Sequence, residues 1–272
     1  MNDTAFEPAP AGPGPAPPTG DDATPTRKFC PRCGAPWQAT WDECPQCTQA
    51  ALAATQAVPP ARGPSVWSAL LLYFVLLGTI IIGAIVRHAG GASEANVLIT
   101  VSLVDAVLVL GWLVLAGRGA LPALSRLGSA RWYVIAAAMG TLTFGITMVV
   151  VHLLQVAFDL EAGNYSDTFL EGGYGWVMAA LMICVQPAVV EEVAFRGVIL
   201  QTLREPLGKR DAVIVSSLMF MVLHLGVLSF PHLLMIGLAL GYLRVRSGSL
   251  YPCMLMHFVH NGLVIVAEAG GY

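Results

Sequence analysis

The chain has 272 residues, of which 56% are hydrophobic and only 11% are charged, whereas a soluble domain devotes about 25% of its residues to charged types. This composition excludes an ordinary soluble domain and indicates a membrane protein. The formal net charge of −3 at pH 7 gives no support for nucleic-acid binding, which needs a basic surface.

The first 65 residues are more polar than the rest and are predicted to lie outside the membrane. Residues 1–26 lack the basic start and apolar core of a signal peptide, and their composition is typical of a disordered tail. Residues 27–48 contain four cysteines and are predicted to be cytoplasmic. Residues 49–65 form a linker rich in Ala, Pro, Thr and Gln, and 66–272 form the transmembrane domain.

The four cysteines form two CxxC pairs, Cys30 with Cys33 and Cys44 with Cys47, separated by ten residues. Two such pairs bring four thiolates onto one tetrahedral zinc ion, and a module this small would gain much of its folding free energy from the metal. Two disulfides or a redox pair are the alternatives, but both are disfavoured in a reducing compartment, and an iron site is a minor one. The module resembles a zinc ribbon.

Seven apolar runs have the length and composition of membrane-spanning helices. They cover residues 67–86, 97–116, 132–157, 176–203, 211–228, 231–245 and 249–267. If successive loops alternate sides, twelve of the fourteen Lys and Arg residues fall on the side of the N-terminus, which is the cytoplasmic side by the positive-inside rule. We therefore predict an all-α, polytopic helical bundle of about seven to eight spans in the cell membrane, with a cytoplasmic N-terminus.

The fourth run is interrupted by Pro187, where a break or a re-entrant segment is an alternative to a continuous span, and by three charged side chains, Glu191, Glu192 and Arg196. Charges inside a span are costly and are retained where they are paired, functional or facing a wet cavity. Glu192 and Arg196 are four residues apart, so they share a helix face and can form an ion pair, which would also serve a purely structural role. Glu191 points about 100° away from Glu192 and is left without a partner nearby in the sequence.

Three further polar side chains lie at the same depth. His224 in the fifth run, and His257 with Asn261 in the seventh, lie about 17–22 Å from the basic residues at the cytoplasmic ends of their spans, at about 1.5 Å per residue. We expect them to meet the glutamates at one buried cavity. The remaining histidines are interpreted as structural or without a chemical role: His88, His152, His232 and His260.

This set of side chains suits the hydrolysis of a peptide bond, which needs an activated water and donors for the oxyanion. In one arrangement Glu191 is the base, His224 holds the same water, and His257 with Asn261 faces the oxyanion. In the other, two histidines and a glutamate hold a second, catalytic zinc. The sequence leaves both arrangements open.

The order Glu-Glu-x3-Arg, Phe-x3-His and His-x3-Asn resembles the CAAX-protease and bacteriocin-processing (CPBP, or Abi) family of intramembrane metalloproteases, over a core at about 176–267. The resemblance implies an intramembrane endopeptidase fold, usually of eight spans, that acts on a peptide or a membrane protein. It also implies functional positions at Glu191, Glu192, His224, His257 and Asn261.

Two other functions remain open from the sequence. One is a catalytically silent membrane adaptor that binds a cytoplasmic protein partner through the zinc ribbon. The other is a proton-coupled or ion-coupled transporter, because Glu, Arg and His inside membranes also mark proton pathways. The polar groups cluster at one level instead of forming a path, which favours the protease over the transporter. Membrane lipids are expected to surround the bundle.

Overall fold

The computed structural model describes residues 28–31, 33–37, 44–50, 65–90, 92–115, 121–159 and 163–271. The chain divides into two compact units, Met1–Ala61 and Arg62–Tyr272. The predicted tail at 1–26 and most of the predicted linker at 49–65 lie outside the described residues.

The first unit contains a small antiparallel ribbon, in which β1 (Lys28–Phe29) pairs with β2 (Pro36–Trp37). Gly34 closes the turn between the strands, with a φ of 72° that favours glycine. The turn is held by a hydrogen bond from the amide of Gly34 to the carbonyl of Cys30, 2.8 Å long. Residues 45–50 are helical, so each cysteine pair lies beside a short structured element.

The described part of the second unit is helical, and six of the helices in it are long and apolar enough to cross a membrane. Two short helices lie between them. In chain order the helices are α1 (Val66–His88), α2 (Glu94–Leu115), α3 (Leu121–Leu124), α4 (Ala130–Phe158), α5 (Asp167–Glu171), α6 (Gly175–Leu223), α7 (Phe230–Ser247) and α8 (Tyr251–Ala269). The predicted all-helical bundle is confirmed.

Helix α6 has 49 residues, which at about 1.5 Å per residue is more than twice the thickness of a bilayer core. It folds back on itself at Gly208, whose φ of 77° and ψ of 176° break the helix just after Pro206. The two limbs pack together, with the rings of Phe195 and Phe220 in an edge-to-face contact at 5.3 Å. The six helices therefore supply seven apolar limbs, the number predicted from the sequence.

The second limb of α6 ends earlier than the apolar run at 211–228 predicts. The helix ends at Leu223, His224 is its C-cap, and Leu225 adopts a left-handed φ of 54°. Gly226 and a short 3-10 turn, Val227–Ser229, then lead into α7, which begins at Phe230-Pro231. The prediction that His224 lies inside a span was wrong by this one residue, because hydropathy does not register a left-handed turn among apolar side chains.

Two close helix contacts bring the polar side chains together. Gly237 of α7 lies against Ser217 of α6, where an added Cβ would meet the Ser217 Cβ at 3.0 Å. Helix α8 packs along α4, and the Thr143 hydroxyl lies 3.1 Å from Nδ1 of His260. Buried apolar side chains of α1, α6 and α7 also form a hydrophobic core around the charged segment of α6.

Candidate active site

The glutamate pair lies where α6 is locally widened. Two π-helical segments, Leu181–Val185 and Glu192–Ile199, flank an α-helical turn at Gln186–Glu191. Such segments occur frequently at functional sites. The predicted interruption at Pro187 is therefore a change of helical pitch, and the helix continues through the proline.

Pro187 also explains one contact of Asn261. The carbonyl of Ile183 cannot receive the usual α-helical hydrogen bond from the residue four positions later, because that residue is Pro187 and has no N–H. Nδ2 of Asn261 donates a 2.7 Å hydrogen bond to this carbonyl. One N–H of the Asn261 amide is therefore committed to joining α8 to α6.

Glu192 is fully buried and paired. Its Oε1 accepts a hydrogen bond from Arg196 at 3.2 Å and lies 2.9 Å from Nδ1 of His257. Arg196 is itself buried; it donates to the carbonyl of Gly237 at 3.2 Å, and its guanidinium lies 4.5 Å from the ring centroid of Phe220. The carboxylate thus joins α6 to α8, and its cation joins α6 to α7.

Glu191 has different surroundings. Its side chain is 24% exposed, and its Oε2 has no hydrogen-bond partner among the described residues although the atom itself is buried. The same oxygen lies 4.0 Å from Nε2 of His257. The Glu191 side chain also lines a cavity of about 140 Å³, a space that can hold water or part of a substrate.

The two imidazoles present their Nε2 atoms. Nδ1 of His224 lies 2.9 Å from the carbonyl of Phe220, and a carbonyl can only accept, so this nitrogen carries the proton. Nδ1 of His257 donates to the Glu192 carboxylate by the same reasoning. Contrary to the expectation from sequence, the imidazole in contact with Glu191 is that of His257, and His224 makes no hydrogen bond to it. The expected single cavity is also not found, because the residues that line the cavity at Glu191 do not include His224, His257 or Asn261.

A second carboxyl group faces this cavity and was missed in the sequence. Asp105 of α2 lines it, with its Oδ1 2.6 Å from the Thr79 hydroxyl of α1. Gln186 of α6 also lines it and donates to the carbonyl of Ser102 at 3.0 Å. Asp105 is the one charged residue in the apolar run at 97–116. Burying this charge in a span is as costly as burying Glu191, so the sequence did contain a signal for it.

The cysteines converge as a metal site requires. The four Sγ atoms lie within 4.8 Å of one another, with Cys30 and Cys47 3.8 Å apart and Cys33 and Cys44 3.7 Å apart. A tetrahedral zinc with Zn–S bonds of about 2.3 Å has sulfur-sulfur edges of about 3.8 Å. The four cysteines could therefore bind a metal ion with little rearrangement.

Among the described residues, these cysteines are the one group of three or more His, Cys, Asp or Glu that could hold a metal. Glu191, His224 and His257 are not brought close enough to share an ion. Glu192 already accepts from Arg196, which would oppose a cation there. The arrangement with a second zinc at the glutamates is without support.

Residues 173–263 match the family model described as type II CAAX prenyl endopeptidase Rce1-like. This segment is similar to the Rce1-like proteases, and we call it the Rce1-like core. It coincides closely with the core predicted at 176–267 and covers α6, α7 and most of α8, including every glutamate, histidine and asparagine predicted at the site. Comparison with curated proteins and with solved structures gives no match.

The match to the Rce1-like family and the apolar helices point to a multi-pass membrane protein. Two of the features above lie outside the core. The cysteine cluster precedes the membrane domain, and Asp105 with Thr79 belongs to α1 and α2. The cavity at Glu191 is therefore built partly by the Rce1-like core and partly by helices that precede it.

Proposed function

We propose that this protein is an intramembrane endopeptidase in which Glu191 activates the water that cleaves the peptide bond. The observation that carries this proposal is the contrast within the glutamate pair. Glu192 is fully buried and is held through Oε1 by Arg196 and His257, whereas the Glu191 side chain is 24% exposed and lines a cavity. Burying an unpaired carboxylate inside a membrane protein costs free energy. A catalytic role for Glu191 explains why a residue with this cost is present.

Hydrolysis proceeds by attack of the water oxygen on the carbonyl carbon of the substrate. Glu191 takes one proton from the water as the new C–O bond forms. When the tetrahedral intermediate collapses, the C–N bond breaks and Glu191 returns this proton to the leaving nitrogen.

The neighbouring side chains have matching roles. His224, with its proton held on Nδ1, offers Nε2 as an acceptor that orients the water. His257 contacts Glu191 and, when protonated on Nε2 beside the Glu192 carboxylate, donates to the oxyanion. The second N–H of Asn261 remains available for the same oxygen.

The cysteine module is proposed to bind a structural zinc ion through Cys30, Cys33, Cys44 and Cys47. We place this module and the N-terminus on the cytoplasmic side of the cell membrane, on the strength of the positive-inside rule. A cytoplasmic protein is its proposed partner. The substrate of the membrane domain is a peptide or a membrane protein that reaches the cavity among the lipid-facing helices.

The test compares cleavage of a membrane-peptide library by the full chain and its variants in detergent. Glu191→Gln removes the base and keeps the shape, so cleavage falls about 10²–10⁴-fold, the usual contribution of general base catalysis, and His224→Ala lowers it as well. Glu94→Gln, an exposed residue at the start of α2, is the control. Equal cleavage by the wild type, Glu191→Gln and His224→Ala would eliminate this mechanism, and no cleavage by any of them would favour a silent adaptor.

A further inference from the structure

Arg244 is a buried cation that the hydrolysis mechanism does not use. It lies in the last turn of α7 and is only 5% exposed. Among the described residues it forms no ion pair with a carboxylate, in contrast to Arg196, which pairs with Glu192. A buried charge inside a span is costly, so a different interaction is needed to explain an arginine at this position.

The π-helical segment of α6 provides that interaction. In an α-helix the carbonyl of Arg196 would accept a hydrogen bond from the N–H of Leu200, four residues later. At the end of the π-helical segment the N–H of Leu200 instead donates to the carbonyl of Phe195, five residues earlier. Nε of Arg244 donates to the carbonyl of Arg196 at 3.3 Å. Arg244 thus supplies a donor to a buried carbonyl whose usual donor is used elsewhere.

The two buried arginines connect α6 and α7 in both directions. Arg196 of α6 donates to the carbonyl of Gly237 in α7, and Arg244 of α7 donates to the backbone of α6. Gly237 and Arg244 are seven residues apart, about two turns, so they lie on one face of α7. Gly241 lies between them on that face, where an added Cβ would meet Cγ1 of Val213 in α6 at 2.8 Å. Close packing of the two helices therefore holds both hydrogen bonds in place.

Arg196 links this contact to the glutamate pair. Its guanidinium donates to Oε1 of Glu192, and the same oxygen lies 2.9 Å from Nδ1 of His257. Nε2 of His257 in turn lies 4.0 Å from Oε2 of Glu191. A shift of the backbone at Arg196 would therefore move Glu192 relative to His257. Arg244 itself is not among the residues that line the cavity at Glu191.

We infer that Arg244 is a positioning residue, which fixes the π-helical segment of α6 through its hydrogen bond to the Arg196 carbonyl. The segment held in this way keeps Glu192 in contact with His257, the imidazole that lies beside the base. The effect on cleavage rests on the proposed function, whereas the effect on the π-helical segment can be measured without any cleavage.

Three substitutions of Arg244 separate the hydrogen bond from the charge. In Arg244→Gln, Nε2 stands at the same position along the side chain as Nε of arginine, so an N–H donor is kept and the charge is lost. Arg244→Met has a methyl group at that position, and Arg244→Lys keeps the charge but has a methylene group there. The exposed Arg246→Met in the same turn of α7 is the control.

The kinetic readout is cleavage of a membrane peptide that the wild type cleaves, measured with the full chain in detergent. Arg244→Met and Arg244→Lys should lower kcat about 10–100-fold at an unchanged KM, because a displacement of about 1 Å at a site costs up to about 10²-fold. Arg244→Gln and Arg246→Met should keep the wild-type kcat. A loss of stability alone would not be reversed selectively by the side chain that restores the donor.

Hydrogen exchange measured by mass spectrometry reads the contact independently of cleavage. The amides of the π-helical segment, Glu192–Ile199, should exchange faster in Arg244→Met than in the wild type, and not in Arg244→Gln or Arg246→Met. If Arg244→Met fails to fold, Arg244→Lys takes its place in both measurements.

Unchanged exchange or a wild-type kcat in the variant without the donor would overturn the inference, and so would an equal loss in Arg244→Gln. Absence of cleavage by the wild type would instead contradict the proposed function, and the exchange rates would still decide whether Arg244 fixes the π-helical segment.

Discussion

Two polar clusters in this chain are assembled in opposite ways. The four cysteines come from a stretch of 18 residues whose described secondary structure is a pair of two-residue strands and a short helical segment. The glutamate cluster joins Glu192 and His257, 65 residues apart in the chain, within a packed helical bundle. Among the described residues, the cysteines lie in short elements with little hydrophobic core. The glutamates and His257 lie on helices that pack against each other through their apolar side chains.

This difference teaches where the stability of each cluster comes from. A cysteine cluster with little core depends on its metal. A buried carboxylate cluster depends on mutual pairing, because removing one partner leaves an uncompensated charge. Metal removal and substitution of single partners therefore act on different sources of stability.

Metal removal should unfold the cysteine module and leave the membrane domain intact. Hydrogen bonding to Cys33, the largest cause, raises the pKa of the Cys47 thiol to about 12, and zinc must displace such protons. Zinc binding should therefore weaken as the pH falls, since more protons compete for each thiolate. Zinc analysis with a chelator and pH series measures this.

A matched pair of variants controls the metal prediction. Cys47→Ser should lose the zinc, whereas Cys184→Ala, which changes a lone buried thiol in α6, should retain it. Zinc retained by Cys47→Ser, or a lower melting temperature of the membrane domain on chelation, would contradict the separation of the two clusters.

Arg196→Met should give the next largest effect, on the stability of the membrane domain. The variant leaves Glu192 buried without its cation, and such losses cost about 3–5 kcal/mol. Arg87→Met is the control, because Arg87 and Glu94 form an ion pair of 2.7 Å in which both side chains are 47% exposed, worth about 0–1 kcal/mol. Denaturant unfolding in detergent measures the free energy of unfolding of both variants. An equal decrease in Arg196→Met and Arg87→Met would show that the buried pair stabilises the domain no more than the exposed one.

Asn261→Ala should have a smaller effect on stability. The carbonyl of Ile183 loses the hydrogen bond from Asn261, and a buried unsatisfied group costs about 1–3 kcal/mol. If the free energy of unfolding is unchanged in Asn261→Ala, the amide is not needed by the Pro187 segment of α6.

The sequence predicted the apolar helices, because hydropathy is a property of each stretch of the chain. It also predicted the pairing of Glu192 with Arg196, which is a contact within one helix. It did not predict that His257 lies beside both glutamates, since that depends on how α8 packs against α6. It also missed Asp105, whose position at the cavity depends on how α2 packs beside Glu191.

The π-helical segments and the left-handed turn after His224 were likewise beyond hydropathy. Pro187 signalled an irregularity, but its consequence depends on Asn261 supplying a donor from another helix. Local backbone deviations of this kind are determined by tertiary contacts, so they become visible only in the folded chain.

The central claim is that adjacent glutamates have different tasks, and one paired measurement tests it most directly. Cleavage rate and melting temperature are measured together for Glu191→Gln and Glu192→Gln. The account predicts that Glu191→Gln loses cleavage at an unchanged melting temperature, whereas Glu192→Gln lowers the melting temperature because Arg196 loses its counter-charge. Wild-type cleavage by Glu191→Gln would contradict it.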